Sequence, residues 1–211
     1  MRRTTFTLAL SLFLAARALG LTYLGTPTAT FRSGQWGAGL NYGYSSQNLR
    51  YNGQNANDAK WQTALATVDL GLDTNRAEVF GRLGLATAKW ANMDWDTEFA
   101  AGLGARITTN QGEAVSWGVA AQGLWWQDQD SRTSIYEIEV GIGPCWQFSK
   151  GLLYGGPMGH FVTSNMDLKE TSSLGAYVGG GYGLSSTWML SGEVQWTPDA
   201  YGLSVGVQRR F

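Results

Sequence analysis

Residues 201–211 read Tyr201-Gly202-Leu203-Ser204-Val205-Gly206-Val207-Gln208-Arg209-Arg210-Phe211. Tyr201, Leu203, Val205 and Val207 alternate with Gly202, Ser204, Gly206 and Gln208, and Phe211 falls in phase with the apolar set. Successive side chains on a strand point to opposite faces, so this stretch predicts a strand with one apolar face and one small, polar face.

The same pattern recurs upstream. Trp36, Ala38, Leu40, Tyr42 and Tyr44 oppose Gly37, Gly39, Asn41, Gly43 and Ser45. Alternation of this kind covers 98–108, 115–126, 136–148 and 188–196, and weaker runs lie near 60–72, 76–89, 151–163 and 173–184. With 36–45 and 201–211 they make ten strands, or eight if two weaker runs fold differently.

A soluble half-buried sheet also alternates. These runs are longer than the five or six residues usual in soluble sheets. Their polar face carries glycine, serine and charge. Trp36, Trp61, Trp117, Trp125, Trp146, Trp188 and Trp196 gather near strand ends, as expected of an aromatic girdle at a bilayer interface. A bare sheet edge is untenable in lipid, so such a sheet has to close. The expected fold is all-β: a closed, antiparallel, up-and-down transmembrane β-barrel.

The connections agree. Asp73–Arg76, Asn110–Glu113, Ser149–Gly151 and Ser185–Thr187 are tight turns rich in turn-forming residues. The alternate set, Ser46–Ala59, Trp90–Thr97, Gln127–Ser134, Ser164–Ser172 and Thr197–Ala200, is mostly longer. Short periplasmic turns and longer outer loops are the habit of outer-membrane barrels.

Composition narrows the function. Charged residues are 15% of 211, against about 25% in ordinary soluble domains. The single Cys145 excludes an internal disulfide framework and a cysteine-built zinc site, and the single His160 excludes a histidine-built metal cluster. A net charge of −1 gives no electrostatic case for nucleic acid. No cofactor and no metal is called for.

Residues 1–18 read as a signal peptide. A basic Met1-Arg2-Arg3 precedes an apolar stretch from Phe6 to Ala16, too short to span a bilayer as a helix, and then Ala16-Arg17-Ala18. Cleavage is placed after Ala18, with Gly20 as the alternative. Residues 19–34, which include Pro27, are expected as a periplasmic lead-in, and 35–211 as the barrel.

On these features the chain resembles the small outer-membrane β-barrel superfamily, OmpA- and OmpX-like in the broad sense, over about residues 35–211. The resemblance rests on architecture and on the final strand. It implies that Tyr201, Leu203, Val205, Val207 and Phe211 form the signal read by the barrel-assembly machinery. It also implies a monomer surrounded by outer-membrane lipid and lipopolysaccharide. Arg209 departs from the apolar residue usual near that end.

Alternation turns Asp69, Glu78, Arg82, Glu98, Arg106, Glu137, Glu139 and Glu193 inward. They read as a salt-bridged network fixing the barrel, or as the lining of a narrow cation-preferring pore. His160, near the outer end of its strand, is the one candidate for a lipid A-modifying or outer-leaflet enzyme, but the face it occupies is open. Thr163 lies on the opposite face from His160, and Ser164 lies about 13 Å along the strand, so neither spacing activates a nucleophile directly. Asp94 with Asp96 and Asp128 with Asp130 lack the Asp-x-His partner of outer-membrane proteases and read as solvated loops. Cys145 reads as a packed lumen residue. The expected role is structural or surface-interacting, without catalysis, through five short outer loops.

Overall fold

Ten strands close into a barrel in the computed structural model of this chain. The structure describes residues 21–51, 54–72, 76–90, 93–94, 97–112, 114–127, 134–165, 168–170 and 173–211. The strands are β1 (Trp36–Tyr51), β2 (Gln54–Gly71), β3 (Ala77–Trp90), β4 (Met93–Asp94), β5 (Glu98–Asn110), β6 (Val115–Gln127), β7 (Ser134–Phe148), β8 (Gly151–Ser164), β9 (Leu168–Glu170), β10 (Leu174–Gly183), β11 (Trp188–Trp196) and β12 (Ala200–Arg210). β4 and β9 are short pieces at the outer rim. The other ten pair antiparallel in up-and-down order.

Closure joins the two ends of the chain's sheet. β1 pairs with β12 from Gly37 opposite Arg210 to Gln47 opposite Ala200. The Phe211 N–H donates to the Trp36 carbonyl at 2.9 Å, and the two rings stack with centroids 4.1 Å apart. An even strand number returns both barrel ends to the side of the tight turns, the periplasmic side.

The wall is inside out relative to a soluble protein. Leu103 is 76% exposed and Leu40 63%, whereas Asp69, Glu78, Glu139 and His160 are fully buried. An exposed apolar belt of this extent requires lipid around it. Trp36, Trp117, Trp146, Phe148, Trp188 and Phe211 ring its periplasmic edge; Tyr136, Trp196 and Tyr201 mark its outer edge, all of them exposed. Among the described residues no helix is long and apolar enough to cross a membrane, so the crossing is made by strands.

Three expectations are corrected. Trp61 does not join the girdle: it is 6% exposed and meets Trp126 edge to face inside the bore, at 5.3 Å between centroids. Its neighbours Lys60 and Gln62 are the exposed ones, so the phase of β2 places an indole inward. The first outer connection is not a loop over Ser46–Ala59. Pairing of β1 with β2 continues to Tyr51 opposite Gln54, across a register shift between Gln47 and Leu49. A main-chain ladder needs no alternation of side chains, so polar residues extend it unseen. β9 then pairs with the top of β1, with Leu49 opposite Glu170.

The third correction is the largest. Residues 21–31 are not a periplasmic lead-in: they run down inside the barrel toward its periplasmic mouth, and Leu21, Thr22, Leu24, Thr28 and Phe31 are each at most 5% exposed. Only residues 32–34 emerge to solvent before β1. Pro27 fits here because the segment has no ladder to join. Residues 1–18 of the expected leader, and Asp96, Asp128 and Asp130 of the outer loops, lie outside the described residues.

Candidate functional site: the filled bore

The strand period delivers the polar groups of the bore. All eight charged residues expected to face inward do so, each no more than 8% exposed. Glu98 opens β5 toward the outer end. The rest form two groups, both completed by residues 21–31.

The periplasmic group centres on Arg106. Its guanidinium pairs with Asp69 at 2.9 Å and with Glu78. Asp69 also accepts from Gln208 Nε2 at 2.7 Å. The other Glu78 oxygen accepts from the Thr30 N–H at 2.8 Å, the Thr30 hydroxyl at 3.1 Å and the Phe31 N–H at 3.2 Å. The Arg82 and Arg106 guanidiniums both lie against the Phe80 ring, 4.7 and 4.2 Å from its centroid. Here two acids share one arginine, and backbone N–H groups of the inner segment supply the missing donors.

The middle group lies higher in the bore. Glu193 accepts from the Leu24 N–H at 2.8 Å, the Gly25 N–H at 2.9 Å and Gln195 Nε2 at 2.7 Å. Glu137 accepts from the Thr22 hydroxyl at 2.7 Å and the Thr22 N–H at 3.3 Å, and its Oε1 lies 3.1 Å from His160 Nε2. Arg82 donates to the Tyr23 carbonyl and to Gln122, and Gln122 donates to Glu139.

Glycine makes room for this arrangement at two places. Gly25 turns the inner segment at φ +85°, where a side chain would be strained. A Cβ on Gly141 would stand 2.6 Å from Leu24 Cδ2 and 2.9 Å from the Tyr177 ring, so the wall is shaved to admit both.

Apolar residues close the outer half of the bore. Trp61, Leu65, Leu124, Trp126, Ile135 and Val162 pack there with small alanines. Beneath them Leu21 and Leu24 pack with Cys145, Tyr154 and Tyr177. At the periplasmic mouth a cavity of about 950 Å³ remains, lined in part by Phe31, Arg32, Lys150, Trp188 and Arg210.

His160 faces inward and is fully buried. Its Nε2 lies 3.1 Å from Glu137 Oε1 on the neighbouring strand, and its backbone N–H donates to the Ser173 carbonyl at 2.8 Å. It is not at a lipid-facing rim. Cys145 is a buried free thiol. On the outer face of β12, Tyr201 and Phe211 are exposed and Leu203, Val205 and Val207 half-buried. Arg209 rests over the Trp188 and Phe211 rings, 5.8 and 4.7 Å from their centroids, which shields its charge at the interface.

The inner segment was the part missed from sequence, and one signal pointed to it. Six acids directed into a bore with two arginines need donors from somewhere else. Within residues 21–31, Thr22, Leu24, Gly25, Thr30 and Phe31 supply them.

No family model matches the chain, and no curated protein matches it. Among solved structures, an outer membrane channel from Pseudomonas putida F1 aligns over 87% of this chain and 97% of its own, with a TM-score of 0.55 and 12% identity. The fold is that of an outer-membrane β-barrel. The outer membrane protease OmpT from Escherichia coli covers 89% of this chain and 100% of its own at 8% identity, with a TM-score of 0.47. The translocator domain of the autotransporter NalP from Neisseria meningitidis covers 87% and 91% at 10% identity, with a TM-score of 0.46. No residue role of these outer-membrane barrels transfers at such identities. The site of this barrel has to be read from its own bore.

Proposed function

We propose that this outer-membrane barrel works closed, as a structural or surface-presenting protein of the envelope. The observation that carries the reading is the bore itself, filled by residues 21–31 in its middle and by an apolar cluster above. On this reading its partners are outer-membrane lipid and lipopolysaccharide around the belt, and the barrel-assembly machinery at β12, and it acts as a monomer. The burial of His160 away from the lipid face supports a role without lipid chemistry.

A second reading is a cation-preferring pore that opens when the inner segment withdraws. The excess of acids in the bore and the cavity at the periplasmic mouth favour it. The aligned Pseudomonas putida protein is an outer membrane channel.

Planar-bilayer recording of the full chain separates the two. The closed reading expects no conductance above detergent controls over a wide voltage range. Steady conductance sinks it, and cation-selective openings that become frequent in Glu193→Ala establish the second reading.

A further inference from the structure

Three side chains of metal-ligand type converge in the middle of the bore. Glu137 and Glu139 stand two apart on β7, so both point inward. His160 on β8 is the register partner of Glu139. One atom from each, an imidazole nitrogen and two carboxylate oxygens, lie within 4.8 Å of one another, and all three residues are buried. Thr22 of the inner segment covers the group from the bore side.

The hydrogen bonding is incomplete at one atom. One Glu139 oxygen takes the Gln122 amide, while Oε1 is buried and has no partner. Glu139 is itself fully buried. A carboxylate oxygen without a donor is costly in a site closed to water. The charge is unbalanced as well. Arg106 is taken up by Asp69 and Glu78. That leaves Arg82 and the imidazole to face Glu137, Glu139 and Glu193.

We propose that Glu137, Glu139 and His160 bind a divalent transition-metal ion, with Zn²⁺ as the reference member. One imidazole and two carboxylates suit the zinc-like first-row ions. They suit calcium poorly, since calcium takes six to eight oxygens. The ion occupies the place of the proton between His160 Nε2 and Glu137 Oε1, now 3.1 Å apart, and gives Glu139 Oε1 its missing partner. The remaining oxygens are already held from outside, that of Glu137 by the Thr22 hydroxyl and that of Glu139 by Gln122. Outer hydrogen bonds of this kind orient ligating carboxylates in metal sites. Bound there, the ion ties β7 to β8 and, through Thr22, fixes the top of the inner segment.

The test uses the full chain, both extracted from membranes in mild detergent and refolded in detergent with Zn²⁺ or Co²⁺, then stripped of loose ion on a chelating resin. Folding is scored by heat-modifiable gel migration. Metal per chain is measured by elemental mass spectrometry, and the Co²⁺ form by its visible absorption. The proposal expects one ion per folded chain and a Co²⁺ band, both lost in Glu139→Gln and His160→Asn that still migrate as folded. Folded wild-type chain retaining no more ion than the unfolded chain overturns it. Equal retention by the folded variants also overturns it, because the ion is then adventitious.

Discussion

Thr22 and Glu137 lie 115 residues apart and meet through two hydrogen bonds, from the Thr22 hydroxyl at 2.7 Å and from its N–H at 3.3 Å. The pair stands for the whole bore, where carboxylates of the wall meet N–H groups of a segment that belongs to no sheet. The wall supplies charge and the segment supplies donors, so each is unsatisfied without the other.

Glu193→Ala tests that dependence. It strands the Leu24 and Gly25 N–H groups in the interior of the bore. Each stranded donor costs about 1–3 kcal/mol, so the urea midpoint of the detergent-folded protein should fall markedly, while Glu193→Gln, which keeps an acceptor, should lose less. Equal losses would mean that the carboxylate's acceptor role is not what holds the segment.

Arg106→Met leaves Asp69 and Glu78 buried together without their cation. Breaking a buried pair on one side costs about 3–5 kcal/mol. The triple change that also converts Asp69→Asn and Glu78→Gln should recover part of that loss. No recovery would show that Arg106 acts by packing against Phe80 instead of by charge.

The lipid face makes a depth-dependent prediction. Leu103 is 76% exposed near mid-belt, and Leu103→Arg should destabilise by about 2–4 kcal/mol. Thr109, exposed near the periplasmic end of the same strand, should tolerate arginine at about 0–1 kcal/mol. Equilibrium unfolding in lipid vesicles measures both, and equal costs would displace the belt from where the girdles put it.

Cys145 offers a reporter of the inner segment, because it is fully buried in a cluster with Leu21 and Leu24. Maleimide labelling of the folded full chain should be far slower than in urea. Glu193→Ala should speed it while gel migration still shows a folded barrel. Fast labelling of the wild type would mean that the segment does not stay seated.

The barrel was legible because a strand exposes its environment every second residue. The period-two runs at 98–108, 136–148 and 201–211 fixed which face meets lipid and which meets the bore, and with that the inward direction of Glu137 and Glu193. Three things stayed hidden for physical reasons. The hairpin beyond Ser46 is held by main-chain pairing, which leaves no mark on side-chain order. Trp61 sits in an environment apolar on both sides, so its type does not tell lipid from bore. Residues 21–31 carry no period at all, since their partners are carboxylates on three different strands. His160 was found as a residue but not as a neighbour of Glu139, because register between β7 and β8 is a property of the turn at Ser149–Lys150.

The inner segment is made before the wall it needs, and part of that wall lies far downstream of it. Leu24 bonds Glu193 across 169 positions, and the Leu21 carbonyl receives the Ser204 hydroxyl across 183. Such distant loop closures come late. The segment is therefore a keystone set after the arch: a truncated or mispaired barrel has nowhere to seat it. A protease acting in the periplasm would find residues 21–31 open to it on a barrel that has not closed and sheltered on one that has, so cleavage in this segment would report on closure of the wall around it.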